Sequence, residues 1–154
     1  MRIEIVAAFA LLSASSLGAQ TAPASTDLAT ATPIAGNWSY SAMADGSEAV
    51  FSNSSSFPQL WVHCTRATRR VSIAKSATGA APFVEVWTSS LTQSVAASFN
   101  PTTGRLSIEL GPFDPLLDAI AGSRGRIGFS VANQPALVIP PWAEAARVVE
   151  DCRA

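Results

Sequence analysis

Cys64 and Cys152 are the two cysteines of the chain, and His63 is its one histidine. These residues limit the chemistry at once. A transition-metal site needs several Cys, His, Asp or Glu ligands converging on one point. One histidine and two cysteines expected to bond each other do not supply them, so no metal is expected. The Cys-x-x-Cys spacing of redox enzymes is absent. A Ser-His-Asp triad would have to use His63, and no Gly-x-Ser-x-Gly elbow presents a serine to it. The stretch Asp45-Gly46-Ser47-Glu48 is too short for a calcium loop of the EF-hand type. Nucleotide-binding glycine loops are also missing, so no cofactor is expected.

Other groupings have a structural reading beside a chemical one. Asp114 with Asp118, or Glu150 with Asp151, has the composition of a hydrolytic carboxylate pair. The first pair also suits a helix N-terminus, where acid complements the dipole, and the second a solvated helix face. Arg66, Arg69 and Arg70 form one basic group, and Ser123-Arg124-Gly125-Arg126 carries another. Arginine favours bidentate contact with carboxylate or phosphate. Arg124 and Arg126 therefore read either as an anion or acidic-partner site, or as partners of Asp118 or the acidic C-terminal helix. Trp61 and Trp87 each fall on the outward side of a strand. Two such indoles can make a platform for sugar rings or a protein, unless a helix or loop covers them.

The elements that must position these groups follow from composition and periodicity. Of 154 residues, 48% are apolar and 14% charged, and the net charge is −1. This suits one globular domain and lacks the basic footprint of a nucleic-acid binder. Residues 1–19 combine a charged start, a short apolar run and a small-residue end, and read as a signal peptide cleaved after Ala19. No other run is long enough to span a membrane. Residues 20–36 are mostly Ala, Thr, Ser and Pro and read as a flexible tether, so the folded domain is expected over 37–154.

From Trp38 to Val131 apolar residues alternate with polar ones, for example Leu60, Val62 and Cys64 against Trp61 and His63. Alternation marks strands with one wet face. Turn signals separate them, the clearest being the hairpin sequence Asn100-Pro101 to Gly104. The expected fold is mainly β: an antiparallel β-sandwich, or partly closed barrel, with two helices. The first helix is capped by Asp114-Pro115, places Leu116, Leu117, Ile120 and Ala121 on one face, and ends at Gly122. The second is C-terminal and amphipathic, with Trp142, Ala145, Val149 and Cys152 on its apolar stripe. Both cysteines thus point at the core. In an exported protein they should form a disulfide tying this helix to the sheet.

The Trp38-led first strand, the Asp45-Gly46-Ser47-Glu48-Ala49 turn and strand, Leu60-Trp-Val-His-Cys64, and Ala145-Ala-Arg-Val-Val-Glu-Asp-Cys152 resemble small exported bacterial envelope proteins. The similarity is to the invasion-associated locus B type and to periplasmic proteins associated with type VI secretion. It implies a β-sandwich and an envelope location, and supplies no catalytic residues. The reading that results is a non-enzymatic periplasmic or secreted module that contacts another envelope protein. The candidate ligand contacts are Trp61, His63, Trp87, Arg124 and Arg126. A cell-wall glycan bound on the aromatic patch is the alternative, and a small hydrolase using His63 or Asp114 and Asp118 a further one.

Overall fold

The computed structural model of the chain describes residues 27–141 and 143–154. The expected leader, the first part of the tether and Trp142 lie outside the described residues. The elements follow in the order β1 (Gly36–Met43), β2 (Gly46–Asn53), β3 (Pro58–Thr65), β4 (Arg70–Ser76), β5 (Phe83–Trp87), β6 (Thr92–Ala96), β7 (Ser98–Asn100), β8 (Arg105–Leu110), α1 (Pro115–Ala121), β9 (Ile127–Ser130), β10 (Leu137–Ile139) and α2 (Ala143–Arg153).

The strands form two antiparallel sheets, a six-stranded one in the order β1-β2-β3-β4-β8-β7 and a four-stranded one in the order β10-β9-β5-β6. The expected mainly β, sandwich-like architecture is present. The alternating run from Ser94 to Phe99 does not stay in one sheet. It breaks at Ala97, whose N–H leaves the ladder to bond the Pro82 carbonyl at 2.9 Å. β6 therefore pairs with β5, while β7 crosses to pair with β8. Val95, Ala97 and Phe99 pack against the core through this corner, the usual device for joining two packed sheets.

One core fills the space between the sheets and under the helices. Phe51, Leu60, Val62, Ile108, Val86, Phe129 and Ile139 meet there, along with Leu116 and Leu117 of α1 and Val148 and Val149 of α2. The Asp114 side chain caps α1 by accepting the Leu116 N–H at 2.9 Å, and the Gly122 N–H returns to the Asp118 carbonyl. Within α1 the buried set is Leu116, Leu117, Ala119 and Ile120, and Ala121 faces out. The short helix is rotated slightly from the expected face. On α2, Ala145, Val148, Val149 and Cys152 are buried against β1 to β4. Cys152 meets Cys64 in the expected disulfide, with Cα atoms 5.5 Å apart and 88 residues of separation. Close packing at this junction also fixes Gly46, where a Cβ would fall 1.8 Å from the Cys64 carbonyl oxygen.

Two features of the fold go beyond what local sequence pattern suggests. Residues 27–35 are packed on the domain, although the composition suggests a tether through 36. Leu28 is 6% exposed and seats on Gly128, where a Cβ would press on it at 3.1 Å. The Ile34 N–H donates to the Val138 carbonyl at 2.8 Å, and the Arg126 guanidinium donates to the Ala29 carbonyl. The segment is a strap over the outside of the four-stranded sheet. The second is β10, whose three residues are all buried. With no wet side it shows no alternation to read.

Candidate functional site

The outward side chains of the six-stranded sheet gather around Trp61 and His63 of β3. His63 is in register with Glu48 on β2 and Ser72 on β4, and Trp61 with Ala74 on β4. Ala74 pairs in turn with Ser107 of β8. These residues, with Asn100, Thr103 and Arg105 from the β7–β8 hairpin, line a shallow depression of about 360 Å³. The rest of the face is mixed: Ser39 and Ser41 on β1 and Ser52 on β2 are small and polar, Val50 of β2 is in register with Trp61, and Met43, Gln59 and Glu109 lie further out.

The centre of the depression is organised by two contacts. Arg105 lays its guanidinium over the Trp61 indole, with its central carbon 3.6 Å from the ring centre. The two residues lie on strands separated by β4, and Ala74 is the small residue between them. Ala74 faces outward yet is only 8% exposed, as expected if the pair lies over it. Beside them, His63 is held between two acids. Its Nε2 is 3.4 Å from Asp45 Oδ2 and its Nδ1 is 3.8 Å from Glu48 Oε2. The carboxylates face opposite ring nitrogens and so do not converge with the imidazole on one ion. Among the described residues no cluster of three or more His, Cys, Asp or Glu is placed to hold a metal.

The other candidate residues are placed elsewhere. Trp87 is half-buried on the outward side of β5, in register with Gly128 and Thr92. It belongs to the other sheet, so Trp61 and Trp87 do not form one platform. Arg124 is exposed, and its N–H bonds Ser89 Oγ at 3.0 Å. Arg126 is half-buried and holds the strap. Neither pairs with Asp118 or with α2. That role belongs to Arg153, whose guanidinium reaches Asp118 at 2.7 Å, Glu150 at 3.2 Å and the Pro112 carbonyl at 2.8 Å. The cation closing α2 onto α1 is thus on the helix itself.

Of the first basic group, Arg69 caps the end of α2 by donating to the Cys152 and Arg153 carbonyls, where the helix dipole favours a cation. The carboxylate pairs are occupied in the same way. Asp114 caps α1, and Asp118 and Glu150 serve Arg153. Asp151 is half-buried instead of solvated and accepts from the Tyr40 hydroxyl at 2.7 Å. That hydrogen bond, with Ser47, Arg147 and Arg66 nearby, holds the Asp151 carboxyl below the usual carboxylate range. Arg147 itself lies over the Tyr40 ring, 3.9 Å from its centre.

Two further polar residues matter that the sequence reading passed over. Arg105 needed the β4–β8 pairing to be seen beside Trp61. Lys75 had a local signal, because it stands in phase with Val71 and Ile73 on β4 and is buried with them. No protein family matches the chain, and no curated protein or solved structure is significantly similar to it.

Proposed function

We propose that the chain is a non-enzymatic, exported binding module of the bacterial envelope, periplasmic or secreted. It contacts another envelope protein through the outer face of the six-stranded sheet. The observation that carries the reading is the Arg105–Trp61 pair, set in a shallow depression among mostly polar side chains. Tryptophan and arginine are among the residue types that most often anchor protein interfaces. The guanidinium also covers one face of the indole, which disfavours sugar stacking there. Separation of Trp61 from Trp87 removes the shared platform that a glycan reading needs.

The non-enzymatic part is supported by His63. Both of its ring nitrogens face carboxylates, which leaves neither directed at a serine. The envelope setting rests on the leader-like N-terminus, on the resemblance to envelope proteins and on the disulfide, a bond of oxidising compartments. The test is affinity capture from the periplasmic fraction of the native host at native abundance. A partner protein recovered with the wild type and lost with both Trp61→Ala and Arg105→Ala is expected. Recovery of the chain alone, or of the same partner with both variants, contradicts the reading.

A further inference from the structure

Lys75 is the single lysine of the chain. It points to the inner side of β4 and is only 5% exposed. Its Nζ donates one hydrogen bond, to the Ser76 carbonyl at 3.0 Å. An ammonium has three donors, so two are left without a protein acceptor among the described residues. No carboxylate among them lies within ion-pair distance of Nζ. Burial pushes the Lys75 amine below its usual pKa. A cation taken from water without a counter-charge costs stability, and packing alone would be better served by methionine.

The ammonium lines a cleft of about 370 Å³ beside the β4–β5 and β9–β10 loops. The walls are apolar at Ile34, Pro135, Ala136 and Leu137, with the Gln59 amide beside them. The mouth is tied in place by Gln134, whose side chain accepts from the Thr78 N–H and donates to the Gly79 carbonyl, each at 3.2 Å. The Ile34 N–H bond to Val138 fixes the strap on the other side. The volume lies in the range of small-ligand sites.

We propose that this cleft binds a small organic monocarboxylate with an apolar body, its carboxylate on Lys75 and its body on Ile34, Pro135, Ala136 and Leu137. One cation and no arginine in the lining select a single carboxylate over phosphate or a dicarboxylate. The apolar walls select an organic acid over a bare anion. Lys75 reaches the cleft from the inner side of the six-stranded sheet, no lining residue is shared with the depression at Trp61, and the site stands independently of the proposed partner surface.

The lone lysine makes the test direct. The full chain labelled with ¹³C at lysine Cε is titrated with hexanoate and with benzoate, and separately with hexanol and inorganic phosphate. At least one carboxylate is expected to shift the Lys75 signal saturably and to raise the amine's titration midpoint. Hexanol and phosphate should bind at least about tenfold more weakly, the scale of one charge-assisted contact. Lys75→Met should weaken the carboxylate by a similar factor, read from the backbone amides of Thr78 and Leu137. No saturable shift with either acid, equal binding of hexanol, or undiminished binding by a folded Lys75→Met variant each overturns the proposal.

Discussion

Arg105 on β8 lies over the indole of Trp61 on β3, 3.6 Å from the ring centre, across the small side chain of Ala74. The contact joins the β7–β8 hairpin to the middle of the sheet on a face that no other element of the described chain fills. Arg105→Ala should therefore cost little stability, about 0.5–1 kcal/mol for a cation–π pair at a half-exposed site. It should also shift the part of the tryptophan emission that Trp61→Phe removes. Denaturant melts and difference fluorescence of the two variants check both effects.

The disulfide has a larger and more general effect. It joins the end of β3 to α2 and closes a separation of 88 residues, which the chain-entropy view values at roughly 4–5 kcal/mol. Cys152→Ser is expected to lower the denaturation midpoint strongly. The unreduced protein should titrate no free thiol and should be lighter than its reduced form by two hydrogens. Thiol titration and intact mass decide the second point.

Asp151 sets an acid limit. Its folded carboxyl titrates below the usual value because of the Tyr40 hydroxyl first, and then Ser47, Arg147 and Arg66, which together outweigh the opposing effect of burial. A depressed carboxylate contributes stability that is complete above its unfolded pKa, about 4, and is lost as pH falls through the lower folded value. Tyr40→Phe should remove most of that contribution. Its melting temperature should thus fall relative to the wild type at pH 6, with the gap narrowing as pH drops below about 4.

Lys75 is also shifted down, but at neutral pH its charge opposes folding. Its folded amine titrates below the usual lysine value because it is buried. The unfolded chain then holds more protons than the folded one between the folded pKa and about 10.4. In that window stability rises with pH. Lys75→Met should flatten this rise and should stabilise the protein at neutral pH by about 1–2 kcal/mol, since it removes an uncompensated buried charge. Chemical denaturation at pH 7 and at higher pH checks both.

The strands and the cysteine pair were readable because each rests on local pattern. Leu60, Val62 and Cys64 repeat every second residue, and Ala145, Val149 and Cys152 follow a helical stripe, so two independent periodicities aim both sulfurs inward. The Asp114-Pro115 cap of α1 is likewise local. The strap was hidden because Leu28 and Ile34 are isolated large apolar residues in a segment of Ala, Thr, Ser and Pro, and the seat of Leu28 on Gly128 lies a hundred residues away. The site was half legible. Outward placement of Trp61 and His63 follows from alternation. Their partners Arg105, Glu48 and Asp45 depend on strand order and turn geometry, which one-dimensional spacing does not encode. Pairing Asp118 with Arg124 or Arg126 failed for the same reason, because α2 brings Arg153 closer.

The central claim is that the outer face of the six-stranded sheet meets a protein partner. The most direct test places a photo-crosslinking residue at Ser107, inside the depression, or at Ser94, outward on the four-stranded sheet. Irradiation is carried out in living cells of the native host. The account predicts one discrete heterologous adduct from Ser107, absent from Ser94 and lost when Trp61→Ala is added. Equal adducts from both positions, or none from Ser107, would contradict it.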